Sequence, residues 1–165
     1  MTENTYTLLE DRGMLTLSGE DSHAFLQGLI SNDVDKISEG RAIYAALLTA
    51  QGKYLHDFFV FELDGSLALD CEKARIDDLM RRLRMYRLRA KIELDIPGDN
   101  WTVIAITGNA SPNLARGVIY QDPRHDGLGA RAALPVADLA DLHLSAGARE
   151  DVSAQHGSVR EAGRA

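Results

Sequence analysis

Residues 47–61 have the sequence LLTAQGKYLHDFFVF, two apolar runs on either side of a short polar turn. Apolar runs rich in aromatic and branched side chains are typical of strands that are covered on both faces. Gly52, in the turn, can adopt the positive φ that a tight connection between strands requires. This pattern predicts an antiparallel pair formed by residues 42–49 and 54–63.

The segments on either side extend this pair into an α+β fold. Asp64-Gly65 is a strong signal for a two-residue hairpin turn, so residues 66–69 are predicted to return as a third antiparallel strand and complete a meander. The remaining predicted elements are helices and short strands bounded by turn residues. The strands are a hairpin of residues 6–9 and 14–17 and single strands at 91–96, 101–106, 117–120 and 130–134. The first helix follows the capping-box spacing of Ser18 and Asp21 and carries Phe25, Leu26, Leu29 and Ile30 on one face. The second helix is capped by Asp70 and carries Ile76, Leu79, Met80, Leu83 and Tyr86 on one face. Runs of strands with two separate main helices favour the α+β class over a parallel α/β class.

Length, composition and charge limit the class of protein. A chain of 165 residues with 45% hydrophobic residues can bury a core without covalent staples, and its single cysteine excludes an internal disulfide. The net charge of −7 argues against a surface for nucleic acid or an anionic membrane. No apolar run reaches the ~18 residues of a membrane-spanning helix, and no signal peptide is evident. We therefore expect a cytoplasmic protein with no direct nucleic-acid partner and no membrane partner.

The composition changes towards the C-terminus. Residues 1–136 are expected to form the packed portion, or 1–96 with a small strand-rich segment at 97–136. Residues 137–165 are increasingly dominated by Glu, Arg, Ser, Gly and Ala. A segment of this composition buries too little apolar area to offset the entropy of ordering it. We expect an atypical, poorly ordered tail.

Asp57 is the main candidate for chemistry. Side chains alternate between the two faces of a strand, so Asp57 is expected to share a face with Leu55, Phe59, Phe61 and Leu63. That face is predicted to be buried, and a carboxylate there needs a partner, a water site or a ligand nitrogen. The alternative is that Asp57 lies at the open end of the strand and accepts a hydrogen bond from a loop amide.

Three polar residues near Asp57 have structural as well as functional interpretations. Asn32 and Gln51 belong to polar pairs in loops that flank the same strands, and such pairs are ordinary in turns. His56 faces away from Asp57 and is interpreted as a packed residue. No second His or Cys lies at ligand spacing, so no metal site is predicted.

The predicted helix of residues 76–86 adds two features. Cys71 is placed next to its N-terminus, where a thiol pKa can fall, but a small buried residue is the favoured interpretation. Basic residues from Arg75 to Lys91 could form an anion or RNA surface. The spacing of Asp77 with Arg81, and of Asp78 with Arg82, favours a solvated helix face instead.

Four short motifs follow one another along the chain. They are Phe25-Leu26-Gln27-Gly28 with Ser31-Asn32-Asp33-Val34, then Gln51-Gly52-Lys53, then Leu83 with Tyr86-Arg87-Leu88-Arg89-Ala90-Lys91, and finally Asp122-Pro123-Arg124 with Leu128-Gly129-Ala130-Arg131. Together and in this order they resemble the YgfZ-type folate-binding family, which is related to the glycine-cleavage T-protein, an aminomethyltransferase. The resemblance covers about residues 6–135 and corresponds to the N-terminal portion of such a protein.

The resemblance implies a tetrahydrofolate-binding fold arranged around a central opening. It also implies a role in iron–sulfur cluster assembly or repair, and through it support of tRNA modification. In the aminomethyltransferase relatives an aspartate close to the reactive folate nitrogen occupies the position of Asp57. Asp57 is therefore the expected catalytic residue, and Asn32, Tyr44, Gln51 and Asp57 are the expected folate-binding residues. Folate and iron–sulfur assembly proteins are the expected partners.

The resemblance leaves three functions to compare. The first is a folate-binding assembly factor, which is the favoured interpretation; the second is an enzyme, an aminomethyl-type folate-dependent transferase. The third is a truncated, inactive fragment or a non-catalytic interaction module. The later Lys-Gly-Cys-Tyr-x-Gly-Gln-Glu motif of the family is absent from this sequence, and Cys71 is not in that context. This absence leads us to expect an N-terminal fragment or a truncated gene product.

Overall fold

The computed structural model describes residues 4–109 and 111–146, which form an α+β fold. Across these ranges there are two five-stranded sheets and two α-helices. The strands are β1 (Thr5–Leu8), β2 (Arg12–Ser18), β3 (Ile43–Leu48), β4 (Tyr54–Leu63), β5 (Ser66–Glu72), β6 (Glu93–Asp95), β7 (Trp101–Thr107), β8 (Val118–Gln121), β9 (Ala130–Pro135) and β10 (Ser145–Ala146). The α-helices are α1 (Ser22–Gln27) and α2 (Ile76–Arg87), and short 3₁₀ helices lie at Val34–Lys36, Lys73–Arg75, Gly98–Asn100, Asp126–Leu128 and Val136–Leu142.

The first sheet contains the predicted meander. Its strand order is β3-β4-β5-β2-β6, and every neighbouring pair is antiparallel. One face carries Leu17, Phe58 and Val60, which pack against Leu26 of α1 and Leu79 of α2. The helices therefore cover this face, because their apolar stripes would otherwise be exposed to water.

The second sheet covers the other face of the first. Its order is β10-β1-β7-β9-β8. Phe59 and Phe61 of β4 lie in one buried cluster with Tyr120 of β8 and Ala133 of β9. Strand β4 is thus covered on both sides, which accounts for its nearly continuous apolar sequence.

The predicted N-terminal hairpin is wrong. Strand β1 pairs with β7 and β10 of the second sheet, whereas β2 pairs with β5 and β6 of the first. The residues between them do turn, and the Arg12 amide donates to the Leu9 carbonyl at 3.0 Å. Turn residues indicate a change of direction, but the choice of partner strand depends on burial against distant segments, which the local pattern does not contain.

The predicted role of Asp70 as a helix N-cap is also wrong. Strand β5 continues through Asp70 to Glu72, and α2 begins only after a 3₁₀ turn. Its cap residue, Arg75, makes no side-chain capping bond. Asp70 is instead fully buried between the sheets, where Arg12 and Arg131 compensate its charge.

The capping box before α1 does not form. Asp21 occupies the cap position without a side-chain capping bond. Its carboxylate instead accepts a 2.7 Å hydrogen bond from the backbone amide of Lys91. The acid therefore ties the start of α1 to the segment that follows α2.

Part of the predicted C-terminal tail lies within the described residues. Val136–Leu142 forms a 3₁₀ helix, and Leu142 is buried in the cluster of the second sheet. Ser145–Ala146 pairs in parallel with β1. Residues 147–165 of the predicted tail lie outside the described residues, and the proposed division at 96 and 136 stays a prediction.

Candidate functional site

Asp57 lies near the turn end of the β3–β4 hairpin, opposite Ala46. It is half-buried and follows the Phe59 and Phe61 side of the strand, as alternation predicts. Leu55 was predicted on the same side, but it packs against the cluster under the helices. The register shifts between Leu47 and Leu48, and this irregularity breaks the alternation just before Asp57.

Two tyrosines donate hydrogen bonds to the Asp57 carboxylate. The Tyr44 hydroxyl donates to Oδ2, and the Tyr54 hydroxyl donates to Oδ1 at 2.8 Å. Burial and the hydrogen bond to Asp57 raise the pKa of both phenols. Both hydroxyls therefore remain protonated donors at neutral pH, and both carboxylate oxygens act as acceptors.

The two tyrosines differ in their surroundings. The Tyr44 ring packs at 5.2 Å from the ring of Phe59, within the cluster between the sheets. Tyr54 is 52% exposed. Of the two phenols that bind Asp57, the one on Oδ1 is therefore the more exposed.

Asn32 binds the backbone of the strand that carries Tyr44. Its side-chain amide donates to the Tyr44 carbonyl at 2.9 Å, and its oxygen accepts from the Asp33 amide at 2.7 Å. Both bonds are to backbone atoms, so Asn32 holds the loop after α1 against β3. The structure thus brings Asn32 to the strand that carries Tyr44.

Gln51 lies in the exposed turn that joins β3 and β4. The turn is closed by the Thr49 amide, which donates to the Lys53 carbonyl at 2.7 Å, and Gly52 has φ +82° as predicted. Gln51 is therefore in the turn of the hairpin, whereas Asp57 is within strand β4. Of the four predicted residues, Tyr44 contacts two of the others: its hydroxyl binds Asp57, and its backbone carbonyl binds Asn32.

Arg124 is part of the site, although the sequence did not single it out. Its guanidinium lies 5.8 Å from the centroid of the Tyr44 ring and 4.8 Å from that of Phe59. Asp122 holds it through two side-chain hydrogen bonds, of 2.9 Å to Oδ1 and 2.5 Å to Oδ2. The signal in the sequence was the Asp122-Pro123-Arg124 motif, which was used only for the resemblance.

His56 is packed, in agreement with its structural interpretation. It is 3% exposed, and its Nε2 lies 2.7 Å from Oδ2 of Asp78 on α2. Arg82 and Arg81 bind the same carboxylate, and these hydrogen bonds, with that of His56, lower the pKa of Asp78. The predicted Asp78–Arg82 pair is present, whereas Arg81, predicted to pair with Asp77, binds Asp78 at i,i+3.

Cys71 is a buried strand residue. It is 2% exposed in β5, and burial, with a smaller contribution from the charge of Asp70, raises the pKa of its thiol to about 12. The helix N-terminus considered above is too far along the chain to act on it, because α2 starts at Ile76. The thiol is therefore a packing group.

A separate cavity of about 110 Å³ lies between the sheets near the start of α2. Its lining includes Arg12, Met14, Ile76 and Trp101, but neither Tyr44 nor Asp57. Such a volume holds only a few water molecules.

Within residues 4–109 and 111–146, no group of three or more His, Cys, Asp or Glu side chains could hold a metal ion. No helix in that part of the chain is long and apolar enough to cross a membrane.

Comparison with protein families gives a match over most of the chain. The family described as GCVT N-terminal domain matches residues 9–137. The chain belongs to this family. This match confirms the predicted relation to the aminomethyltransferase group. It also confirms that the resemblance is to the N-terminal portion of such proteins.

Curated relatives of this GCVT N-terminal domain carry the name "iron-sulfur cluster assembly factor IBA57 homolog, mitochondrial". The protein from Mycosarcoma maydis is 31% identical, and the match covers 88% of this chain and 40% of the relative. The protein from Pyricularia oryzae is 28% identical over 79% of this chain and 36% of its own length. The chain therefore spans less than half the length of these relatives.

A solved structure has the same fold. The glycine cleavage system aminomethyltransferase T from Bartonella henselae superimposes with a TM-score of 0.67, covering 86% of this chain and 44% of that one. The sequence identity is 14%, so the likeness shows the fold alone. The predicted α+β class of the aminomethyltransferase type is confirmed.

The predicted cytoplasmic location is contradicted by the relatives, which are named as mitochondrial proteins. The prediction rested on one cysteine and on the absence of a recognisable signal peptide. Those features indicate a reducing compartment, and they do not separate the cytoplasm from other reducing compartments.

Proposed function

We propose that this GCVT N-terminal domain binds tetrahydrofolate at Asp57 and serves in iron–sulfur cluster assembly. The family match and the names of the relatives support the assembly role. The observation that carries the folate site is the Asp57 carboxylate with a phenol on each oxygen. We further propose that iron–sulfur assembly proteins are partners and that tRNA modification depends on the clusters delivered.

The residues present fit a reduced folate chemically. Tetrahydrofolate supplies ring N–H donors and nitrogens that carry one-carbon units. Asp57 offers carboxylate oxygens, which are acceptors for such donors, and Tyr54, which binds Oδ1, is itself exposed. The ring of Tyr44 offers a flat apolar surface beside the carboxylate.

Asp57 has two roles in this proposal. It accepts a hydrogen bond from a ring nitrogen, and a charged acceptor strengthens such a bond. In the proposal it also takes or returns a proton at that nitrogen, while the Tyr44 hydroxyl holds Oδ2. Asn32 contributes by fixing the backbone of Tyr44, and Gln51 is placed at the outer rim of the same hairpin.

A titration with tetrahydrofolate tests the site. We expect saturable binding, and we expect Asp57→Asn to weaken it by about tenfold or more, as for the loss of a charged hydrogen-bond acceptor. Glu62→Gln is the matched control, because Glu62 is an exposed acid on the same strand. Absence of saturable binding at millimolar folate, or equal binding by Asp57→Asn, would reject the proposal.

An aminomethyl-type transferase is the second candidate, because the fold neighbour is an aminomethyltransferase. The two candidates share the folate site and differ in the reaction. Glycine-dependent transfer of a one-carbon unit to tetrahydrofolate would support the transferase. Restoration of cluster-dependent tRNA thiolation in cells depleted of the assembly factor would support the assembly role.

A further inference from the structure

The Asp122-Pro123-Arg124 loop directly after β8 forms a closed ion pair. Besides its two guanidinium bonds, Arg124 donates its backbone N–H to Oδ1 of Asp122 at 3.0 Å. The side chains are 8% and 2% exposed. Three hydrogen bonds between residues two positions apart leave the guanidinium little freedom to move.

The pair points into the neighbouring sheet. The Arg124 guanidinium covers both Phe59 and Tyr44, whose rings pack against each other. A cation over an aromatic face is attracted to it, more strongly when water is excluded. The second sheet thus reaches across to the ring whose hydroxyl donates to Asp57.

The charge of Arg124 also acts on the Tyr44 hydroxyl. Burial, the hydrogen bond and the charge of Asp57 raise the pKa of Tyr44, and the positive charge of Arg124 opposes them. Arg124 therefore makes the Tyr44 hydroxyl a stronger donor than it would be without a cation nearby.

We propose that Arg124 is a positioning residue for the Asp57 site: fixed by Asp122, it clamps the ring of Tyr44 so that the hydroxyl stays on the carboxylate. A loop that needed only to be packed could use apolar residues, since a buried ion pair seldom stabilises more than they would. The proposal deepens the folate site and rests on it for the ligand, but the clamp itself exists without ligand.

The first test needs no folate. Tyrosine labelled with ¹³C at Cζ reports the state of each phenol by NMR, and Tyr44→Phe assigns the Tyr44 signal. We expect Arg124→Met to move the Tyr44 signal and Arg116→Met to leave it in place. Arg116 is the matched control, because its pair with Asp138 is 61% exposed on the arginine side. An unchanged Tyr44 signal in Arg124→Met would overturn the proposal.

The second test uses tetrahydrofolate and a double-mutant cycle. We expect Arg124→Met to weaken binding about tenfold in the wild-type background, from the combined loss of the cation–π contact and of the hydrogen-bond geometry. We expect a loss of less than about threefold in the Tyr44→Phe background, where the hydroxyl is already gone. Equal losses in both backgrounds would show that Arg124 does not act through Tyr44.

A conservative variant protects the test against misfolding. Arg124→Lys keeps the charge but cannot form the paired bonds to Asp122. We expect it to fold, to retain more affinity than Arg124→Met, and to move the Tyr44 signal less. If Arg124→Met does not fold, a Tyr44 signal unchanged in Arg124→Lys overturns the proposal, and a moved signal supports it. Failure of wild-type protein to bind folate rejects the folate site, while the NMR result still decides the clamp.

Discussion

Arg131 and Asp70, which belong to different sheets, form an ion pair of 2.5 Å whose side chains are 2% and 0% exposed. Arg12 binds the other oxygen of Asp70 at 2.8 Å, and the Tyr120 hydroxyl donates to Oδ2 at 3.1 Å. One carboxylate therefore binds two arginines in the layer between the sheets. Burial alone would raise the pKa of Asp70, but the charges of Arg131 and Arg12 outweigh it and lower the pKa.

Replacement of Asp70 should destabilise the protein severely. Asp70→Asn leaves Arg12 and Arg131 buried without their counter-charge, and breaking a buried pair in this way typically costs about 3–5 kcal/mol. Arg131→Met should cost less, because Arg12 still compensates Asp70. Urea unfolding measures both, with Arg116→Met as the exposed control. Similar losses in Asp70→Asn and Arg116→Met would contradict the prediction.

The stability of the protein at acid pH should depend on Asp70. The pKa of Asp70 is lowered from its ordinary value of 3.8, so its contribution to stability is complete above that pH and is lost as the pH falls through the lower, folded-state pKa. We expect the free energy of unfolding of wild type to fall steeply below pH ~4. Arg131→Met, in which Asp70 has lost one counter-charge, should show a shallower fall. Parallel curves for the two proteins would exclude Asp70 as the source.

Gly117 should tolerate no side chain. It has φ +100°, and a Cβ there would lie 2.2 Å from the Ala133 carbonyl oxygen. Gly52 has φ +82° with nothing within 4 Å, so it isolates the backbone cost. We expect Gly52→Ala to lose about 1–2 kcal/mol from its left-handed backbone, and Gly117→Ala to lose clearly more. Chemical denaturation checks the order, and equal losses would mean that β9 moves aside without cost.

Cys71 should react only after unfolding. Because its thiol is buried with a pKa raised to about 12, little thiolate is exposed at pH 8. Native protein should react with Ellman's reagent far more slowly than protein in guanidinium chloride. Arg131→Met, which unfolds more readily, should react faster than wild type. Immediate reaction of the native thiol would show that β5 opens locally.

The elements that local patterns specify could be predicted from the sequence. The β3–β4–β5 meander follows from two turns with glycine and from the apolar runs beside them. The buried stripe of α2 follows from residues at helical spacing, although Tyr86, predicted on that stripe, is 47% exposed in the last turn of the helix. These features depend on neighbours a few residues away.

The interactions between the sheets could not be predicted in this way. Asp70 resembles a helix cap locally, but its partners Arg12, 58 residues earlier, and Arg131, 61 residues later, hold it as a buried strand residue. Asp57 could be singled out by alternation, but its donor Tyr44 is on another strand, and Arg124, which packs over the Tyr44 ring, is in a loop of the other sheet. Buried polar groups whose hydrogen-bond and ion-pair partners lie far away in the sequence leave no periodic pattern in it.

The pairing of β1 with β7 has a consequence for synthesis on the ribosome. Thr5 lies opposite Thr107, so β1 has no partner in β7 until about a hundred further residues have been synthesised. Closing so long a loop is slow, and an unpaired strand is a template for wrong pairing meanwhile. Nascent chains released before β7 should therefore engage chaperones through Thr5–Leu8, and the second sheet is complete only once Ser145–Ala146 has been synthesised.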